Sequence, residues 1–311
     1  MRRIFAKRNL MRVLITGATG LIGKAVVKEC HALGYEVHYL TTSKKKLTQE
    51  DNYKGFYWNP KSGDIDAACF EGVNAIIHLV GASISKRWTT AYKKEVLESR
   101  TLTTQLLKTT IEAHGFKIDH MISASAIGIY PSSLTKYYEE DATEISTTFL
   151  GDVVKAWEAA VDEFKTLDIP ITKVRIGLVL AANGGALPEI VKPIKFGAGA
   201  AFGNGEQWQS WIHVEDLARI FAFILEHGYE GIYNGVAPNP VSNSELTKMA
   251  AKVLQRPLLL PNIPKAVMKL MLGEMHMLLF ESQRVSGQKI ENFGFHFNYP
   301  NLRPALEHLL T

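Results

Sequence analysis

The sequence predicts an α/β fold, with a doubly wound parallel sheet followed by a smaller α+β lobe. Three observations lead to this: a glycine-rich segment follows the first strand, strand and helix patterns alternate up to about residue 180, and glycine loops interrupt the remainder. A chain of 311 residues with 46% hydrophobic content can bury a nucleotide-sized domain and an appended lobe. We therefore expect one domain over residues 11–180 and a second over residues 181–311.

The glycine-rich segment, GATGLIG over residues 17–23, comes directly after an apolar run at 11–16 that is typical of a buried parallel strand. Helical spacing begins at Leu21. Glycines at such a turn let the backbone approach a pyrophosphate at the positive end of a helix. The segment therefore predicts a Rossmann-type dinucleotide site, and the alternative is a flexible loop without a ligand. The predicted contacts are Gly17, Thr19, Gly20, Leu21, Ile22 and Gly23.

The other elements follow from hydrophobic periodicity and turn signals. In the first domain we expect strands at 36–40, 56–58, 75–80, 120–123 and 171–180, and helices after Leu21 and at 93–113 and 152–167. In the second we expect helices at 214–227, 244–254 and 266–279 and a strand at 231–236. Alternation of strands and helices is typical of a parallel sheet, because each crossover needs a connection of this length.

The end of the second strand indicates which nicotinamide cofactor fits. No carboxylate stands there to accept hydrogen bonds from the adenosine ribose; the sequence has Thr41, Thr42 and Ser43, followed by three lysines. Hydroxyls and cations can donate to a 2′-phosphate, so we expect NADP(H) rather than NAD(H). A solvated lysine loop is the alternative explanation.

Composition narrows the classes of partner. The formal net charge is +4, and no basic stripe is interleaved with aromatics, so nucleic acid is not an expected partner. No apolar stretch approaches the ~20 residues that span a bilayer, and we expect a cytoplasmic protein. The two cysteines have no partners at metal-ligand spacing, so no metal site is expected. The basic leader, residues 1–10, is expected to be either a disordered tail or sequence upstream of a true start at Met11.

Motifs spread along the chain resemble the extended short-chain dehydrogenase/reductases. They are NAIIHLVGA at 74–82, SASAIGIY at 123–130 and WIHVED at 211–216. Further segments, ESR at 98–100, AWEAA at 156–160 and QWQSWIH at 207–213, resemble one atypical group within them, the epimerase-family proteins also described as NADP-dependent oxidoreductases. That group carries a C-terminal domain of unknown function, expected here from about residue 255. The resemblance implies cofactor contacts at Leu79, Val80, Gly81, Glu95, Arg100 and Val179.

The catalytic pair of the wider superfamily is missing. Its members use a tyrosine as acid/base and a lysine four residues later that lowers the tyrosine pKa. The acidic residue that follows the lysine matches Glu158, which places the pair at Leu150 and Val154. Neither side chain can transfer a proton. Ser125, at the end of a strand, and Tyr130, in the loop beyond it, are the remaining candidates, and the alternative for Tyr130 is packing between the lobes.

Three functions stay open on these residues. The first is an NADP(H)-dependent oxidoreductase acting on a carbonyl or alcohol without the usual pair. The second is a nucleotide-sugar epimerase, which needs a competent base, and the third is a non-catalytic protein that responds to NADPH. A small-molecule substrate is expected, either a nucleotide sugar or another carbonyl compound, and the sequence leaves a homodimer open.

Overall fold

The computed structural model describes residues 11–311, and the predicted leader at 1–10 lies outside them. The strands in chain order are β1 (Arg12–Thr16), β2 (Glu36–Thr41), β3 (Gln49–Glu50), β4 (Tyr53–Asn59), β5 (Asp64–Ile65), β6 (Ala75–His78), β7 (His120–Ala126), β8 (Tyr137–Tyr138), β9 (Ile171–Ile176), β10 (Leu178–Ala181), β11 (Gly184–Gly185), β12 (Trp208–Gln209), β13 (Trp211–His213), β14 (Gly231–Gly235), β15 (Val241–Ser242) and β16 (Arg284–Val285). The helices are α1 (Leu21–Ala32), α2 (Thr90–His114), α3 (Phe149–Asp162), α4 (Ala186–Lys195), α5 (Val214–His227), α6 (Asn243–Val253), α7 (Lys265–Leu272), α8 (Met277–Phe280), α9 (Gln288–Asn292) and α10 (Leu302–Leu310).

The main sheet has the strand order β14-β9-β7-β6-β1-β2-β4-β3, and β5 pairs with β4. Neighbours from β14 to β4 are parallel, whereas β3 and β5 run antiparallel to β4. The chain winds outward in both directions from β1, so the switch point lies between β1 and β6. Ligands of open α/β sheets bind at the carboxyl ends of strands at such a point. The predicted doubly wound sheet is confirmed.

Burial explains why the central strands are almost wholly apolar. Val13, Leu14 and Ile15 of β1 are fully buried, as are Ile76 and Ile77 of β6. Against this sheet α1 packs on α5, and α2 packs on α3. Strands covered on both faces have no solvent side and so show no polar alternation. The same core encloses both cysteines.

The strand predicted at 171–180 is two strands that belong to different sheets. β9 ends at Ile176 in the main sheet, and β10 pairs with β13 in a small sheet. Between them, a Cβ atom on Gly177 would lie 2.1 Å from the carbonyl oxygen of Ser210, so the chain bends where only glycine fits. The amide of Leu178 then donates to the same oxygen at 2.8 Å.

The chain crosses the domain boundary predicted near residue 180 more than once. After the chain has entered the second lobe it returns through α5 to β14, which pairs with β9 at the edge of the main sheet. The second lobe has its own core of α4, α6 and α10 side chains, including Leu187, Leu246 and Leu306. The two units are therefore joined by several crossings of the chain and not by one linker.

The methionine-rich helix predicted at 266–279 is broken. α7 ends at Leu272, a 3₁₀ turn covers Gly273–His276, and α8 follows. Gly273 has a φ of +60°, which does not continue a helix. The predicted helix at 152–167 likewise ends at Asp162 and tightens into a 3₁₀ turn. Within residues 11–311, no helix is both long enough and apolar enough to cross a membrane.

Candidate cofactor site and cavity

The glycine segment forms the turn between β1 and α1. Gly17 has a φ of +73°, and the amide of Gly20 donates to the carbonyl oxygen of Gly17 at 2.9 Å. A Cβ atom on Gly23 would lie 2.1 Å from that oxygen, and one on Gly20 would lie 3.1 Å from it. Side chains here would push α1 away from β1, so the glycines keep the turn tight.

The N-terminus of α1 is open to an anion. Its N-cap is Gly20, which has no side chain to accept hydrogen bonds from the first-turn N–H groups, and the first turn holds no acidic side chain. Thr19, Leu21 and Ile22 complete the turn and are half-buried. Free N–H groups and the helix dipole together stabilise a phosphate at such a helix end.

A buried hydroxyl–imidazole pair holds the residues after β6 beside this turn. Thr16 Oγ1 lies 2.8 Å from His78 Nδ1 and accepts from the amide of Leu79 at 3.1 Å. Burial lowers the pKa of His78 to about 3, so its ring is neutral at physiological pH. A Cβ atom on Gly17 would lie 3.3 Å from the amide nitrogen of Val80. Two predicted cofactor contacts therefore lie directly against the glycine turn.

The end of β2 presents hydroxyls and a cation. Thr41 is buried and accepts from the amide of Ser43 at 3.2 Å, whereas Thr42 is exposed. Lys44 begins a 3₁₀ turn, and its ammonium nitrogen lies 5.1 Å from the centre of the Tyr57 ring. No carboxylate occurs in this stretch, which is the charge pattern that suits a 2′-phosphate.

Arg100 on α2 reaches the segment after β6. Its guanidinium donates to the carbonyl oxygens of Val96 at 2.9 Å and Ala82 at 3.3 Å, and a Cβ atom on Gly81 would lie 2.9 Å from its central carbon. The guanidinium stacks 5.0 Å from the centre of the Trp157 ring, and no carboxylate in the described part of the chain pairs with it. Burial lowers the pKa of Arg100 to about 10, so it remains a cation at neutral pH.

A cavity of about 180 Å³ opens where the carboxyl ends of β7 and β9 meet the second lobe. The sheet side contributes residues 126–128 and 176–178, and α3 contributes a mainly apolar wall. Arg100 lines the cavity, whereas the predicted contacts Glu95 and Val179 do not. Glu95 is exposed on α2, and Val179 is half-buried in β10. The second lobe completes the lining with Trp208, Gln209, Ser210, Leu278, Glu281 and Gln283.

Leu150 and Val154 both line this cavity. They are the two positions at which the resemblance places the tyrosine and lysine of the wider superfamily. Two aliphatic side chains therefore stand where related folds carry their proton-transfer pair. Lys155, the neighbouring lysine on α3, is exposed and does not line the cavity.

The two predicted catalytic residues, Ser125 and Tyr130, do not line the cavity either. Ser125 Oγ donates to Glu158 Oε1 at 2.6 Å, and the fully buried Tyr130 donates its hydroxyl to Asn234 Oδ1 at 2.8 Å. Arg175 joins them by donating to Glu158 at 2.9 Å and to the Tyr130 oxygen at 3.0 Å. This network holds the Tyr130 hydroxyl inside the protein, away from the cavity lining.

Charge inside this network fixes the protonation states. Burial alone would raise the pKa of Glu158, but the hydrogen bonds and charge of Arg175 outweigh it and lower that pKa. Burial raises the pKa of Tyr130, although Arg175 opposes the change. At neutral pH the network therefore contains a carboxylate, a guanidinium and a neutral phenol. This arrangement ties α3 to three neighbouring strands, β7, β9 and β14.

Sequence reasoning gave no role to Glu281, Gln283 or Trp157, although all three line the cavity. Gln283 Nε2 donates to Glu281 Oε2 at 3.2 Å and to the carbonyl oxygen of Tyr130 at 3.3 Å. The contact with Tyr130 joins segments 153 residues apart in the chain. No local periodicity or motif reports such a contact, so only the fold could identify this part of the site.

A parallel sheet in this order, a glycine turn after its first strand and a second lobe over its carboxyl edge define an extended short-chain dehydrogenase/reductase. A family model described as "NAD dependent epimerase/dehydratase family" matches residues 13–235, and one described as "Domain of unknown function (DUF1731)" matches residues 263–309. The chain belongs to the NAD dependent epimerase/dehydratase family. The resemblance to epimerase-family proteins with this C-terminal domain is confirmed.

Relatives match over nearly the whole chain. Epimerase family protein YfhF of Bacillus subtilis is 34% identical over 302 residues, 97% of this chain and 98% of that protein. The chloroplastic SDR39U1 homolog of Arabidopsis thaliana, also an epimerase family protein, is 33% identical over 308 residues, 98% of this chain and 88% of that one. The crystal structure of human epimerase family protein SDR39U1 (isoform 2) with NADPH has a TM-score of 0.83 and 31% identity, covering 96% of this chain and 99% of that chain.

Proposed function

We propose that this protein is an NADP(H)-dependent oxidoreductase that interconverts a small, largely apolar carbonyl compound and its alcohol. The observation that carries the proposal is the glycine turn at 17–23, where a Cβ atom on Gly23 would lie 2.1 Å from the Gly17 carbonyl oxygen and the N-terminus of α1 has no side-chain cap. Such a helix end suits a pyrophosphate. The human relative with NADPH supports the choice of cofactor.

The residues present fit this cofactor at three points. The uncapped N-terminus of α1 suits the pyrophosphate, and the hydroxyls and lysines after β2 suit a 2′-phosphate. The segment from Leu79 to Gly81 leads from the turn towards the cavity, with Arg100 beside it. When bound, the nicotinamide supplies or accepts a hydride.

The cavity limits the class of substrate. At about 180 Å³ it is smaller than the ~300–1,000 Å³ of sites that bury drug-sized ligands. Most of its lining is aliphatic or aromatic, and among residues 11–311 Arg100 is the single cation that lines it. A nucleotide sugar carries a diphosphate and several hydroxyls, which such a lining does not match. These features favour a small carbonyl compound over a nucleotide sugar.

The first test is titration of the purified chain with NADPH and with NADH, followed by NADPH oxidation against carbonyl compounds of graded size and nucleotide sugars. We expect tighter binding of NADPH and oxidation with small apolar carbonyls. Turnover of nucleotide sugars alone would support an epimerase instead. Tight NADPH binding without turnover on any compound would favour the non-catalytic function, and absence of binding would overturn the proposal.

Cofactor preference has its own test at the end of β2. Thr42 is exposed there, so Thr42→Asp introduces a carboxylate without disturbing the core. We expect it to weaken NADPH binding at least tenfold, about 1.4 kcal/mol, and to leave NADH binding equal or stronger. Thr42→Asn is the matched control, because it has the same size without the charge. Equal loss in both variants would contradict an electrostatic origin of the preference.

A further inference from the structure

The cavity contains very few groups that can exchange a proton. Of the described residues that line it, two carry ionisable side chains, Arg100 and Glu281. The guanidinium stays charged at all physiological pH values and so neither gives nor takes a proton. The serine and glutamine side chains in the lining are not acids or bases near neutral pH. Glu281 is therefore the group in this lining with the chemistry of a general acid or base.

Glu281 is held in a defined position. It directly follows α8, and Gln283 Nε2 donates to its Oε2 atom at 3.2 Å. The hydroxyl of Thr148, the N-cap residue of α3, also acts on this carboxyl group by favouring its charged form. Thr148 stands two residues before Leu150, the position assigned to the missing tyrosine. Glu281 thus lines the same cavity as Leu150, at the end of α3 that carries the catalytic tyrosine in related folds.

The other oxygen of this carboxyl group has no partner. Glu281 Oε1 is buried and accepts no hydrogen bond in the described structure, and the indole N–H of Trp157, also in the cavity lining, is buried without a partner. A buried polar atom without a hydrogen bond costs about 1–3 kcal/mol, so such atoms are rare unless a ligand or water meets them. An acceptor and a donor in one apolar cavity indicate a ligand with a polar group.

We propose that Glu281 is the acid/base residue of this cavity and gives its proton to the carbonyl oxygen of the substrate. The proposal rests on the oxidoreductase function proposed above. In the reducing direction a hydride from the reduced nicotinamide forms the new C–H bond, and the C=O π electrons move to oxygen. The O–H bond of the Glu281 carboxyl group breaks as its proton forms the alcohol. A carboxylate and the oxidised nicotinamide remain. In the reverse direction the carboxylate takes the alcohol proton and the nicotinamide takes the hydride.

The surroundings keep this carboxyl group protonated to a higher pH than usual. Burial raises the pKa of Glu281, and the hydrogen bond from Gln283 and the nearby Thr148 hydroxyl only partly oppose this change. The cations on the packed elements are engaged elsewhere: Arg100 on Trp157, Lys93 with Glu274, and Arg284 4.5 Å from the Trp208 ring centre. None of them lies within 4.0 Å of the Glu281 carboxylate in the described residues.

The first experiment measures the pKa of the Glu281 carboxyl group. In the full chain labelled with carboxyl-¹³C glutamate, a pH titration by NMR is compared between the wild type and Glu281→Gln, which keeps the size of the side chain. We expect one resonance that titrates above the ordinary glutamate value of 4.5 and is lost in this variant. Glu274→Gln, on the segment before α8 and outside the cavity lining, is the matched control and should retain that resonance. Titration of the Glu281 resonance at or below the ordinary value would overturn the proposal.

The second experiment separates binding from chemistry. Glu281→Gln is expected to keep the NADPH dissociation constant and to lower kcat by about 100-fold or more, the usual contribution of a general acid. Glu281→Asp keeps the proton and should retain more activity than the glutamine variant. In the wild type, the reduction rate should fall as pH rises through the Glu281 pKa, and the glutamine variant should lack this decline. Wild-type kcat in Glu281→Gln would overturn the proposal.

The two proposals fail in different ways. If none of the carbonyl compounds supports NADPH oxidation by the wild-type chain, the proposed function fails, whatever the titration of Glu281 shows. If the wild type turns over and Glu281→Gln does so equally, the function stands and the assignment of Glu281 fails. A thermal unfolding scan of each variant shows whether a loss of activity reflects unfolding.

Discussion

At the scale of single residues, Gly20 and Gly23 of the glycine turn are glycines for different reasons. Gly23 is required by packing, because its Cβ atom would lie 2.1 Å from a carbonyl oxygen that cannot move. Gly20 has an ordinary φ of −82°, and its Cβ atom would lie at 3.1 Å, so alanine fits there with a small adjustment. Its position at the N-cap instead places any side chain where a phosphate would approach.

The variants Gly20→Ala and Gly23→Ala should therefore differ. We expect Gly20→Ala to lower the free energy of unfolding by about 1 kcal/mol, because alanine is a poor N-cap, while weakening NADPH binding at least tenfold. Gly23→Ala should lose both stability and binding, since α1 must move. Urea denaturation and NADPH titration on the same preparations check this. Equal stability losses in the two variants would contradict the packing argument.

At the scale of elements, sequence patterns predicted nearly all of the main sheet, because each strand and helix carries its own periodicity. They failed where an element depends on a distant contact. The strand at 171–180 breaks at Gly177 because Ser210 approaches it, and Glu281 reaches the cavity only after the second lobe folds over the sheet. The glycine turn was predictable because its function depends on a local spacing. The hydrogen bond between Tyr130 and Asn234 could not be predicted, because the two residues are 104 positions apart in the chain.

The buried network between α3 and its neighbouring strands gives a prediction at this scale. Glu158→Gln leaves Arg175 buried without a counter-charge, so we expect a loss of about 3–5 kcal/mol in the free energy of unfolding at pH 7. Tyr130→Phe removes one hydrogen-bonding hydroxyl and should cost about 1–3 kcal/mol, with NADPH binding unchanged. Loss of turnover in a fully folded Tyr130→Phe variant would contradict a structural role and restore Tyr130 as a catalytic candidate.

The same network predicts a dependence of stability on pH. The folded-state pKa of Glu158 is below its ordinary value of 4.5, so its contribution is complete above that pH and is lost as pH falls through the lower value. We expect the wild type to lose stability over this acid range and Glu158→Gln to lose less. Urea denaturation at a series of pH values from 7 downward measures both. Parallel curves for the two proteins would show that Glu158 does not provide this acid sensitivity.

At the scale of the whole molecule, the path of the chain links the two lobes. β10 pairs with β13 in the small sheet, and β14 then returns to the edge of the main sheet. The cavity is lined from both sides, with Trp157 on α3 and Trp208 in the second lobe. Neither unit can unfold without removing strand partners or cavity walls from the other. This connectivity favours a single cooperative unfolding transition.

We therefore expect coincident thermal transitions by tryptophan fluorescence and by far-ultraviolet circular dichroism. In Trp208→Phe, the fluorescence of the remaining tryptophans should change at the same midpoint. NADPH at about 100 times its dissociation constant should add about 2.7 kcal/mol to the free energy of unfolding and raise that midpoint by roughly 5 °C. Because the cofactor would bind across the edge where the lobes meet, the whole transition should move together. Two transitions, of which NADPH shifts only one, would mean that the lobes fold independently and that the cavity between them does not couple them.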